Sequence, residues 1–195
     1  MHIPENLIQV FEDSMHWIDE NPELKKMTEY SVQHTELYPE GHTPAIPEHL
    51  PEYLTKIEVL PQKSFETAVQ LRKRYPDSRI AVHNFASATN PGGGVTNGSR
   101  AQEESLCRCS NLYPCLDQPS LRVNYYQFHK SKHDLRYTDA CIWSPDVKIF
   151  KTDTSFPQRL PETDWCTVDI LTCAAPNLRK KPYNAMNPGK GSPAL

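Results

Sequence analysis

The chain has 195 residues, of which 37% are hydrophobic and 18 are proline, and its net charge is −3. That length suits one domain, or one domain with an arm, and the composition excludes a chain disordered throughout. No apolar run reaches transmembrane length, and MHIPENLIQVFEDS lacks the basic start and unbroken apolar core of a signal peptide, so a cytoplasmic or nuclear protein is expected.

The first predicted element is a helix over 4–20, with Pro4 in its first turn and Leu7, Ile8, Phe11, Met15 and Ile18 at helical spacing. Asn21-Pro22 breaks it, and a second helix is predicted over 23–37. The proline-rich stretch 38–53 reads as a loop or arm, which divides the chain into a helical region with its arm (1–53) and a main domain (54–195). KIEVL (56–60) is predicted as a strand, and KSFETAVQLRKRYP as a helix with Ser64 as N-cap and Phe65, Ala68, Val69 and Leu71 inward. A buried strand follows over 78–86, then a glycine loop. A helix from Ala101 to about Leu116 turns Ala101, Leu106, Cys109 and Leu112 inward. Further strands are predicted at 140–144, 147–150 and 166–174, and the tail 178–195 has no apolar period. The pattern is α/β with a mixed sheet.

Charge is uneven. Residues 1–60 hold three basic and twelve acidic residues, and residues 61–195 hold eighteen and twelve. The basic excess around the glycine loop fits an anionic ligand and equally a solvated face. Six cysteines, at 107, 109, 115, 141, 166 and 173, lack zinc spacing and read as buried reduced thiols, so neither metal nor cofactor is expected. FHKSKH (128–133) reads as a solvated basic loop around His129, Lys130, Lys132 and His133, and Tyr125-Tyr126 as core packing.

Three of the seven glycines stand together at Gly92-Gly93-Gly94, after a buried strand and before a helix. Such a loop lets a ligand approach the backbone, and its N–H groups favour phosphate. It is neither a P-loop nor a dinucleotide fingerprint. Glu103 and Glu104 are adjacent and point about 100° apart on a regular helix. Only near a helix start or on a loop can both serve one pocket, where burial and mutual repulsion would keep one protonated for glycosidic acid catalysis.

Gly92-Gly93-Gly94, seven residues, then Gln102-Glu103-Glu104 resembles the signature of poly(ADP-ribose) glycohydrolases. The surrounding NFASATNPGGGVTNGSRAQEESLCR resembles the compact microbial type, supported by TELY (35–38), WSPDVKIFK (143–151) and LTCAAPN (171–177). The resemblance implies a macrodomain-like mixed sheet flanked by helices. It also implies hydrolysis of ribose–ribose bonds in poly(ADP-ribose), with Glu104 as general acid and then base, and Glu103 on a ribose hydroxyl. Gln102, Gly92, Gly93, Gly94 and Val95 would shape the pocket, and Asn84 and Asn90 would contact ribose or adenine. Partners would be poly(ADP-ribose) or ADP-ribosylated proteins, with no membrane and no direct nucleic-acid binding. Relatives of this type carry a second glycine-rich loop beyond CAAPN. This sequence has none, so a sheet lacking its C-terminal strands, with one uncovered edge, is expected. A non-catalytic ADP-ribose binder, an inactive remnant and a hydrolase of single ADP-ribose units are the alternative readings.

Overall fold

The computed structural model describes residues 6–46, 48 and 54–177, so the predictions at Pro4 and in the tail 178–195 lie outside the described residues. Helix α1 (Leu7–Glu20) starts where the Asn6 side chain accepts the N–H groups of Ile8 and Gln9, both at 3.0 Å. It buries Val10, Phe11, Ser14 and Ile18. Helix α2 (Pro22–Gln33) has Pro22 in its first turn and Asn21 accepting Leu24 N–H at 3.0 Å. It stops short of the predicted residue 37, because Glu36–Tyr38 leave the helix to pair as strand β1.

KIEVL forms no strand. Ile57 and Val59 are 85% and 93% exposed, with no strand paired to them among the described residues; β propensity counts only on a paired, half-buried surface. Helix α3 (Ser64–Arg74) is capped differently from the prediction: Lys63 is the N-cap residue, and the Glu66 side chain reaches back to its N–H at 3.0 Å. Phe65 and Ala68 are buried. Strand β2 (Ala81–Phe85) follows.

The helix predicted over 101–116 is two helices, α4 (Gln102–Cys109) and α5 (Leu112–Leu116). The break has a cause. Ser110 Oγ turns back to Leu106 O at 2.7 Å and accepts Leu112 N–H at 3.2 Å, while Asn111 Oδ1 accepts Lys148 N–H at 2.6 Å. Ala101, predicted to face inward, is exposed as the α4 N-cap residue, whereas Leu106, Cys109 and Leu112 are buried.

Residues 119–132 form a short α6 (Pro119–Leu121), a π-helical stretch (Arg122–Gln127) and α7 (Phe128–Lys132). The wider π turn lets consecutive Tyr125 and Tyr126 both enter the core, edge to face at 5.0 Å. The predicted basic loop is therefore helical up to Lys132, and His129 is buried in it, bonded to Tyr125 O and Thr138 Oγ1.

The two strands predicted at 140–150 are one, β3 (Cys141–Ile149), bulged between Ser144 and Val147. Strand β4 (Cys166–Cys173) completes a sheet of order β1-β3-β4-β2, antiparallel except for the parallel β4–β2 pair. Among the described residues β2 is an edge strand. Val82, Asn84, Ile142, Ser144, Ile170 and Thr172 point into the core, where Leu106, Leu112, Leu116, Tyr125 and Tyr126 meet them. Each such fully buried leucine or isoleucine contributes roughly 2 kcal/mol. The alternate residues, among them Trp143, Leu171, His83 and Phe85, line a face that is half-buried or exposed. Among the described residues no helix is long and apolar enough to cross a membrane.

Candidate active site

β2 carries the chain to the core end of a glycine turn. Gly92 and Gly93 adopt φ of +65° and +60°, the left-handed region that side chains disfavour. A short 3-10 turn (Val95–Asn97) then leads to α4, whose first turn holds Gln102, Glu103 and Glu104. The acids thus stand at a helix start, where both can serve one place. A Cβ on Gly93 would lie 2.5 Å from Glu104 Oε1 and 3.0 Å from Glu103 Oε2, so both carboxylates converge on that glycine.

Glu104 is anchored through one oxygen and Glu103 through both. Glu104 Oε1 accepts the Gly94 N–H at 2.8 Å. Glu104 Oε2 is buried and without a partner. Glu103 Oε2 accepts the Ser87 N–H at 2.7 Å, and its Oε1 lies 3.5 Å from Asn84 Nδ2. Asn84 is held to Thr172 Oγ1 at 3.2 Å, and its own Oδ1 is buried and unpartnered. Glu103 and Glu104 are only 3% and 7% exposed, which decides their electrostatics. Burial pushes the Glu103 carboxyl up to about 7, against the pull of the Ser87 N–H and the Asn84 amide, with a smaller upward push from Glu104.

The other predicted residues divide. Gln102 does not reach the acids' side of the loop. Its side-chain amide accepts Phe85 N–H at 2.8 Å and donates to His83 O at 2.7 Å, fastening α4 to the free edge of β2. Val95 is 1% exposed and packs in the core beneath the turn. Asn90 closes the turn through its carbonyl, which accepts Gly93 N–H at 3.0 Å, while its side chain bonds Thr89. The N–H groups of Gly93, Gly94 and Val95 all have partners within the protein. Gly92 and Gly93 therefore serve the site through their backbone angles and missing side chains, and Gly94 through the N–H that holds Glu104.

Sequence reasoning missed Ser87, Thr172 and Arg108. Arg108 is 3% exposed, donates Nη1 to Ser99 O at 2.5 Å and leaves Nε buried without a partner. Its place four residues after Glu104, on the same helix face, was the available signal. A cavity of about 510 Å³, lined by Glu23, Lys26, Tyr30, Arg72, Arg79 and Asp169 among others, lies at the opposite end of the β2–β4 pair and contains none of these residues. Among the described residues no group of three or more His, Cys, Asp or Glu could hold a metal.

The family model for the catalytic domain of microbial-type poly(ADP-ribose) glycohydrolase matches residues 8–152. The chain is similar to the crystal structure of poly(ADP-ribose) glycohydrolase from Thermomonospora curvata bound to the inhibitor ADP-HPD. The two share 27% identity at a TM-score of 0.72, over 93% of this chain and 66% of that one. It is also similar to the enzyme from Deinococcus radiodurans in complex with ADP-ribose, with 35% identity and a TM-score of 0.62 over 77% of this chain and 58% of that one. The chain thus spans less than two thirds of the length of either structure. No curated protein matches it. With its mixed sheet, its glycine turn and its paired carboxylates, the chain belongs to the family of microbial-type poly(ADP-ribose) glycohydrolase catalytic domains.

Proposed function

We propose that the protein hydrolyses the ribose–ribose O-glycosidic bonds of poly(ADP-ribose) and releases ADP-ribose. The observation that carries this reading is the convergence of two buried carboxylates on Gly93, with Glu104 Oε2 left unpartnered. The family membership and the ADP-ribose held by the Deinococcus radiodurans enzyme support it.

Glu104, pinned through Oε1 by the Gly94 N–H, presents its second oxygen to the bond being cut. Protonated, it gives its proton to the leaving ribose oxygen as the C1–O bond breaks and positive charge grows on the sugar. The resulting carboxylate then takes a proton from the water that attacks C1, and Glu104 is restored. Glu103 accepts a hydroxyl of the ribose being cleaved. Its anchors, Ser87 N–H and Asn84 Nδ2, hold it still while that contact is made. Gly93, with no side chain to cover the two carboxylates, leaves them open to the sugar. The chemistry needs no cofactor, since the carboxyls move the protons.

The test is to incubate the protein with poly(ADP-ribose) beside a Glu104→Gln variant and follow ADP-ribose release. Release by the wild type alone supports the reading. Release by neither, from folded protein, removes the hydrolase and leaves an ADP-ribose binder or an inactive remnant.

A further inference from the structure

The half-buried face of the sheet carries a pair of thiols that the site does not use. Cys141 and Cys173 are partners in the β3–β4 register, and both are partly exposed. Antiparallel pairs come in two kinds, hydrogen-bonded and not. The Cys173 carbonyl accepts Ala86 N–H, and further back on the same strand Asp169 N–H goes to Ile80 O. The odd-numbered residues of β4 therefore turn their backbone groups to β2, away from β3. Cys141 and Cys173 are thus a non-hydrogen-bonded pair, the kind whose side chains stand closest.

In such pairs the Cα atoms are about 4.5 Å apart, within the range of about 4.4–6.8 Å that a disulfide spans. Their alternate neighbours Ile142 and Thr172 are fully buried, so both cysteines project to the other face. There each thiol is near enough to shift the other's acidity. The remaining four cysteines, at 107, 109, 115 and 166, are buried.

We propose that Cys141 and Cys173 are a modification site: a cross-strand dithiol that closes into an intramolecular disulfide when a disulfide oxidant such as oxidised glutathione is supplied. One thiolate attacks oxidised glutathione and expels a glutathione thiolate. The second thiolate then attacks the mixed disulfide, forms the Cys141–Cys173 bond and expels the second glutathione. Two protons leave the protein thiols and two electrons pass to the oxidant. The product staples β3 to β4 beside the strand end that leads into the glycine turn, because Cys173 O also holds Ala86 N–H at 3.1 Å. Closure restrains the unfolded chain and is expected to raise Tm by roughly 5–10 °C.

The full chain is exposed to oxidised glutathione without denaturant, and its free thiols and mass are followed. The experiment is run at pH 8.5, because burial holds both thiols high, Cys173 at about 11. The expected result is loss of two of the six thiols, no retained glutathione and a higher Tm. Neither Cys141→Ser nor Cys173→Ser closes such a bond. Six thiols persisting in the wild type would overturn the proposal. So would a stable glutathione adduct, an equal two-thiol loss in either variant, or a bond that forms only after unfolding.

Discussion

Two of the places where the protein buries charge treat it in opposite ways. The side chain of Lys151 is 1% exposed, yet its ammonium donates to Val10 O and to Asp13 Oδ2, both at 2.7 Å. Asp13 also takes Arg159 at 2.6 Å. Burial alone would raise the Asp13 carboxyl, but these bonds outweigh it and hold the carboxyl low. Around Glu104 the bookkeeping is left open, with Glu104 Oε2, Asn84 Oδ1 and Arg108 Nε buried and unpartnered. Burying a polar group without a partner costs about 1–3 kcal/mol. The difference is that the first cluster fastens α1 to the chain after β3, while the second leaves polar atoms open to the substrate proposed above.

The contrast breaks most sharply at Glu104. Glu104→Gln keeps an oxygen for the Gly94 N–H but removes the transferable proton. ADP-ribose release should fall by about 1,000-fold with Tm almost unmoved; an equal drop in Tm would make Glu104 a structural acid.

Glu103 comes next. Its folded pKa, about 7, lies above the ordinary 4.5, so the folded state keeps a proton that the unfolded state releases. Its contribution to stability is whole below pH 4.5 and is lost as pH rises to 7, a change of about 3 kcal/mol. Urea denaturation between pH 4.5 and 8 should show this fall in the wild type and a weaker one in Glu103→Gln. Parallel curves would remove the buried-acid account.

Gly93→Ala forces a left-handed angle on alanine and drives its Cβ against both carboxylates. A loss of about 100-fold in turnover is expected, with about 1–2 kcal/mol of stability. Kinetics and denaturation on one preparation separate the two. The smallest effect sharpens the other side of the comparison. Lys151→Met should cost about 2 kcal/mol while leaving turnover per folded molecule within about threefold. A larger loss of turnover would show that the paired cluster also serves the site.

The glycines and acids were legible in the sequence because their chemistry is carried by residue type and spacing. The supports were not. Ser87 acts through a backbone N–H and Thr172 through a strand 88 residues after Asn84, so only folding brings them to the acids. The β2 and β4 strands were read from β-branched apolar runs, and their ends shifted by no more than three residues. KIEVL failed by the same rule, since an apolar run becomes a strand only when another strand lies beside it. The α2–β1 boundary was lost because the pairing of Glu36–Tyr38 with Cys141–Trp143 outweighs helical propensity, and no local pattern announces a partner a hundred residues away.

The Gln102 amide makes, with His83 O and Phe85 N, the two bonds that a neighbouring strand would make at that position. The helix that bears the acids therefore also guards an edge. If that side chain lets go, α4 loses its hold on the β2 edge and a bare stretch of strand is offered to any other chain at once. Inactivation and self-association would then be a single event, seen as light scattering that rises in step with the fall in turnover.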